Sequence, residues 1–391
     1  MLVLLIVGVY PTQSLSASQA LQVRLADDVV LKVHLEPGSG DQEYSYARQV
    51  LQAASEAYRE IVINQGFSRT GYSFTKPTGL FAYDADKVID IYITDVEAPF
   101  ALLTPVGGLE YQANIYVPQD YRAYRKRYKI SQPELELKAS LAHELLHIIT
   151  FSYNRNMQIN LQGKTSLTSH RWDWYTEGLA RYFEALAGYR EEFLSAGYRK
   201  DLGDKVLVYK GGVNYFLRYP DKPLEERKYD FALFWQYIHE TFGMDEIEEI
   251  SFKFRQVDPA LCSNREAMEI IANTLGLSAV ELWRDFSLYV YKASVLPLDQ
   301  ESGLKPVYVS KLSSRKTLRQ TISSFGLDYY EVDLGKHSGP IQIDSHRDLT
   351  CQAGVASKNE FSLLPVEGNN SDYIKIDPPD LPQNEKLIIM L

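Results

Sequence analysis

Apolar side chains recur along this chain with two different periods, and each period marks a class of element. Residues 21–36 alternate as a strand does, residues 43–64 carry the spacing of a helix, and residues 87–94 return to a strand pattern. Gly107 and Gly108 then lead into alternating residues up to Val117, the signature expected of an edge strand. From Leu135 to Phe151 there is no glycine or proline, and Leu137, Ala139, Leu141, Ala142, Leu145, Leu146, Ile148 and Ile149 make the segment apolar around most of its circumference. A helix of that kind is buried. Its start is marked by Ser131 as N-cap, Pro133 in the first turn and Glu134 as capping-box partner. Alanine, leucine and aromatic spacing predicts a second helix around 174–184, capped by Asp173 or Thr176, and further helices fall near 229–242, 263–275 and 278–293. The Gly- and Tyr-rich stretch 188–220 between them is expected to wall a cleft.

The pattern changes after the polar, breaker-rich junction 297–303. Residues 307–309, 329–334, 339–343 and 386–390 are short strand signals separated by turns. The expected class is therefore α+β: a small sheet over a buried helix and a helical subdomain within residues 21–295, then a β-sandwich-like domain over 304–391. That last domain is expected to pack beside the first, and its last strand, running almost to Leu391, leaves open that it is incomplete.

Composition bounds the setting. A length of 391 residues is enough for two domains, and a net charge of −10 argues against nucleic acid as a partner. The basic run 122–129 is a local exception, expected to be a solvated face or loop. Cys262 and Cys351 are the only cysteines, too few and too far apart in the sequence for a disulfide framework. Residues 1–9 are almost wholly apolar and small residues follow to Ala20, the pattern of a signal peptide over 1–20 with Ala17 or Ala20 as cleavage points. No lysine or arginine precedes the apolar run, so missing upstream residues or a first strand of the fold are the other readings. The expectation is export, with a secreted or extracytoplasmic mature protein and no stable membrane insertion, since no apolar stretch is long enough to span a bilayer.

Candidate chemistry sits in the buried helix. His143 and His147 lie four apart, on one helical face, and can offer ring nitrogens to one metal ion, while Glu144 is placed to reach a metal-bound water. Core histidines bonded to backbone carbonyls are the structural alternative. A metal site needs a third ligand, and 174–184 offers Glu177, with Glu184 seven residues on and on the same face as its rival. Asp173 and His170 are the remaining candidates, and His170 is also a candidate proton donor.

The motifs His143-Glu-Leu-Leu-His147 and Trp174-x-x-Glu177-Gly-x-Ala-x-Tyr-x-Glu184 together resemble the gluzincins, the thermolysin-like and aminopeptidase-N-like clan of zinc peptidases. The resemblance implies one Zn2+ ion held by His143, His147 and Glu177, with Glu144 as general base and a peptide or protein as substrate. The intervening residues 148–176 run longer than in thermolysin, which implies a divergent member with an inserted loop. The clan uses a histidine or tyrosine to steady the oxyanion, and by resemblance Tyr229, near the start of the helix that follows the ligands, takes that role; Tyr182 is a lesser candidate, and His239 is expected to be structural. Gly107-Gly-Leu-Glu110-Tyr resembles the aminopeptidase G-x-M-E-N signature without its methionine and asparagine, which makes Glu110 a candidate anchor for a substrate amine. Endopeptidase and aminopeptidase action both stay open, as does an ester, epoxide or small-amide substrate. The reading from another class is a non-catalytic zinc-containing module that binds a partner through the C-terminal β domain. A fourth protein ligand such as Asp173 or His170 would favour it.

Overall fold

The computed structural model describes residues 20–25, 28–36, 38–67, 88–107, 110–119, 133–154, 157, 172–189, 213–295, 310–313, 327, 329–333, 341–344, 351–356, 361–364, 366–367, 373–376 and 386–391. The protein is mixed α+β. Residues 1–19, the basic run 122–129 and His170 lie outside the described residues, as does most of the stretch 188–220.

Five strands form the first sheet: β1 (Ala20–Arg24), β2 (Val30–His34), β3 (Val88–Thr94), β4 (Phe100–Gly107) and β5 (Glu110–Pro118), in the order β1-β2-β3-β5-β4. The alternation over 21–36, expected as one strand, is a hairpin. Its turn closes through Leu25 N donating to Val29 O at 2.8 Å and through Asp28 in the left-handed region at φ 68°. Aspartate tolerates that region better than most side chains, so the polar pair Asp27-Asp28 was the turn signal. The second correction concerns the edge. β5 pairs parallel with β3 on one side and antiparallel with β4 on the other, so β5 is interior and β4 closes that end of the sheet among the described residues. Gly107 is the last residue of β4 and pairs with Glu110, the first of β5, so it ends one strand of a hairpin, a use of glycine that alternation alone does not distinguish from the start of a strand.

Alternation along β2, β3 and β5 places Leu31, Val33, Ile89, Ile91, Ala113, Ile115 and Val117 on one face, all buried. Two helices cover that face. Helix α1 (Asp41–Tyr58) lies on β1 and β2, continued by a wider turn over Arg59–Asn64, and its buried Ala47, Val50, Ala54, Ala57 and Tyr58 follow the helical period. Helix α2 (Pro133–Tyr153) lies against β4 and β5 and packs on α1. The other described helices are α3 (Asp173–Glu184, continued by a wider turn over Ala185–Tyr189), α4 (Val213–Arg218), α5 (Ala232–Phe242), α6 (Met244–Phe254), α7 (Asn264–Thr274) and α8 (Ala279–Val295). Gly243, at φ 107°, ends α5 and begins α6, a helix that the sequence pattern did not single out. Neither Asp173 nor Thr176 caps α3: the N-cap position is Trp172, and the Thr176 hydroxyl donates back to Trp172 O at 3.3 Å.

Beyond the helices, β10-β9-β13-β7-β6 form one sheet and β11-β12-β8 another, from strands β6 (Ser310–Ser313), β7 (Tyr329–Asp333), β8 (Ile341–Asp344), β9 (Gln352–Ala356), β10 (Phe361–Leu364), β11 (Val366–Glu367), β12 (Tyr373–Ile376) and β13 (Lys386–Met390). The larger sheet is buried on both sides. Tyr330, Val332, Leu387 and Ile389 share a core with Ile376 and Ile341 of the smaller sheet, while Tyr329, Ile388 and Met390, alternating with them, join the core of the helical region. No described helix is long and apolar enough to cross a membrane.

Cys351 lies in that inner core, and burial pushes its thiol up to about 12. Alkylation needs the thiolate. With a thiol-reactive dye at pH 8 the native protein is therefore expected to react at Cys262 only, and both cysteines to react after denaturation; rapid native labelling of Cys351 would contradict this packing.

Candidate metal centre

Helix α2 carries its two histidines one turn apart, with the Nε2 atoms 3.0 Å from each other and the rings nearly perpendicular at 84°. His147 is held from behind by Phe151, stacked on it at 5.3 Å. Helix α3 packs against α2 and delivers Glu177, whose Oε2 lies 3.4 Å from His143 Nε2 and 3.8 Å from His147 Nε2. Four ligand atoms about 2.0–2.1 Å from one ion in a tetrahedron stand about 3.3 Å apart. The three separations bracket that value. Glu177 Oε2 is also buried with no hydrogen-bond partner of sound geometry, the condition of an acceptor facing a cation site. His143, His147 and Glu177 thus form a group that can hold a metal ion, the one such group found among the described residues.

Helix α3 reaches this position because its first turn is anchored in aromatic packing. Trp174 is fully buried, stacked on Trp235 at 6.4 Å and edge-on to Phe231 at 5.7 Å, with its indole N–H donating to Asn264 Oδ1 at 3.1 Å. The motif's glycine has a separate reason. A β-carbon on Gly178 would stand 3.2 Å from Lys228 O and 3.2 Å from Phe231 Cβ, tighter than ordinary contact, so glycine lets the turn 228–231 lie close against α3 beside Glu177.

That turn, a single 3-10 turn over Tyr229–Phe231, brings Tyr229 to the centre. Its ring centroid lies 5.9 Å from that of His143, and the Arg181 guanidinium stands 5.9 Å from the same ring. The neighbouring Glu177 carboxylate, with burial adding to it, holds the Tyr229 phenol well above its ordinary pKa, against the pull of Arg181. Tyr229 therefore remains a hydrogen-bond donor through neutral pH. Tyr182 does not share the site: its hydroxyl is joined to His239 Nδ1 at 2.5 Å, which gives His239 the structural role expected of it.

Glu184 is not a substitute for Glu177. It stands on the far side of His143, with Oε2 3.3 Å from Nδ1, while Arg181 donates to both of its carboxylate oxygens at 2.7 Å. A carboxylate there fixes the ring orientation and leaves Nε2 as the ligand atom. Glu177, Arg181 and Glu184 lie four and then three residues apart on one face of α3, a spacing that was legible but was read only as rivalry for the metal. Asp173 is likewise no ligand: it is buried and ion-paired with Lys228. Glu110 opens β5, which is interior and not the edge strand expected there; that edge belongs to β4 among the described residues.

The electrostatics follow from burying three carboxylates with two imidazoles. Burial lowers the His143 pKa, but Glu177 and Glu184 outweigh it and push it up to about 10. For Glu177, burial raises the pKa and the two histidines overcome it, leaving the carboxyl well below its ordinary range. Glu144 goes the other way, raised by burial despite the two histidines. Without metal the cluster keeps a proton among the imidazoles, so metal binding displaces it. No protein-family model and no curated protein matches the chain.

Gly178→Ala adds a methyl with two contacts of 3.2 Å, so the turn 228–231 must give way to admit it. The expected result is a loss of about 1–3 kcal/mol in unfolding free energy with the Tyr229 turn pushed off α3, measured by denaturant titration and by a crystal structure of the variant. An unshifted turn at full stability would refute the account of this glycine.

Proposed function

We propose that this chain is a zinc-dependent peptidase of gluzincin type, with His143, His147 and Glu177 holding one Zn2+ ion. The observation that carries the reading is the geometry of the three ligand atoms, all within 4.8 Å of one another, with Glu144 in the same helical turn and Tyr229 across from His143. Two imidazoles and one carboxylate are the ligand set of hydrolytic zinc sites and leave a fourth position for water or substrate. Asp173, one of the two candidates for a fourth ligand, is ion-paired with Lys228 instead.

A bound zinc ion supplies the Lewis acidity that brings a water's pKa towards neutrality and polarises a carbonyl. The protein's own groups do the rest. Glu144, its basicity raised by burial, accepts the water's proton and passes it to the leaving amine. Tyr229 donates its hydroxyl hydrogen to the carbonyl oxygen as negative charge develops there. Glu184, steadied by Arg181, keeps His143 turned to the metal. An extended peptide is the substrate that suits an edge strand lying against the metal helix, as β4 lies against α2, because it can add to the sheet by backbone hydrogen bonds. Export to an extracytoplasmic setting belongs to the same reading, on the apolar pattern of residues 1–9.

Glu144→Gln is expected to lower kcat on a mixed peptide library by about 100- to 10,000-fold while one zinc ion per chain is retained, measured by mass spectrometry and metal analysis. Glu177→Ala is expected to lose the metal under the same dialysis. Chelator-insensitive cleavage, or full activity in Glu144→Gln, would overturn the mechanism.

A further inference from the structure

Arg227 is completely buried, which is unusual for an arginine, and it joins the Tyr229 turn to the segment 216–220. One arm of its guanidinium donates to Asp230 Oδ2 at 2.8 Å; the other donates to Tyr219 O at 3.1 Å and Pro220 O at 2.6 Å. The group lies 4.0 Å above the Phe216 ring. Asp230 uses its second oxygen to accept from Lys228 N at 2.9 Å, which closes the turn on both sides of Tyr229. The far side of this arrangement belongs to the C-terminal β domain. Pro220 O also accepts from Leu327 N at 2.9 Å, and Tyr329, on β7, donates its hydroxyl to Ser287 O of α8 at 2.8 Å.

A buried ion pair is a poor device for stability, because apolar side chains of the same volume do as well or better. It is a good device for fixing a geometry, since the planar fork satisfies its acceptors in one orientation. We propose that Arg227, braced against the C-terminal β domain through Pro220, is a positioning residue that acts through Asp230 to hold the Tyr229 hydroxyl over the metal centre. This rests on the peptidase reading for its effect on rate, but not for its effect on Tyr229 itself. The C-terminal domain is on this account part of the catalytic apparatus, although it contributes no group to the described centre.

Arg227→Ala would leave a cavity and unpaired acceptors, so the test uses Asp230→Asn in the full-length zinc-loaded protein, alone and combined with Tyr229→Phe. Asp230→Asn is expected to lower kcat by roughly ten- to a hundredfold, with KM and zinc content unchanged, and to have no further effect once Tyr229 is phenylalanine. An equal loss in both backgrounds, or a lower melting temperature with kcat intact, would mean that the pair only stabilises the fold. The second readout is the NMR signal of ring-labelled Tyr229, assigned by its disappearance in Tyr229→Phe. It is expected to shift or broaden in Asp230→Asn, and an unchanged signal overturns the proposal. If the wild-type protein cleaves no peptide, the peptidase reading fails and this signal alone decides whether Arg227 and Asp230 position Tyr229.

Discussion

Everything around the centre depends on one constraint: three carboxylates and two imidazoles are buried together between α2 and α3. Removing charges from water is costly unless each finds a partner. Glu177 is given the two imidazole edges, and Glu184 is given Arg181 and His143. The pairings also order the geometry. Each partner lies close to a charge that would otherwise need water, and the ligand atoms stand 3.0, 3.4 and 3.8 Å apart, at metal-binding separations. Glu144 is the exception, left with a raised pKa, and it is the group whose proposed task is to accept a proton.

The two helices and the turn divide the labour in a way that follows from their chemistry. Helix α2 is apolar almost all round, so it can be buried against the sheet and carry its histidines in a rigid frame. Helix α3 is amphipathic: Trp174 and its aromatic neighbours anchor it, and its other face carries Glu177, Arg181 and Glu184 to α2. The short turn bearing Tyr229 has too little backbone pairing to hold itself. It relies on Gly178 beneath it and on the Arg227–Asp230 pair beside it.

How much of this was legible depended on whether the signal was local. The metal helix was readable because its ligands are four residues apart and its apolar surround is continuous. Glu177 stands in the motif over 174–184, Tyr229 follows only from the resemblance of its helix, and both lie at the centre. The sheet was read less well. Asp28 turns one alternating run into a hairpin, and β5 is paired on both sides, which puts the edge at β4 among the described residues. Strand order is a property of pairing between distant segments, and periodicity within one segment does not contain it. Arg227 escaped notice for the same reason, since an arginine followed by a lysine looks like solvated surface until the acceptors at 219, 220 and 230 converge on it.

The strand that carries Tyr329 has its own dependency. β7 pairs antiparallel with β13, and β13 in turn lies between β7 and β9, so the middle of that sheet is completed by Lys386–Met390. Contacts of long sequence separation form late, after the local helices. A refolding chain would then gain its helical signal before β13 pairs with β7 and the brace behind Tyr229 is in place. Ordering of the Tyr229 turn would lag recovery of secondary structure.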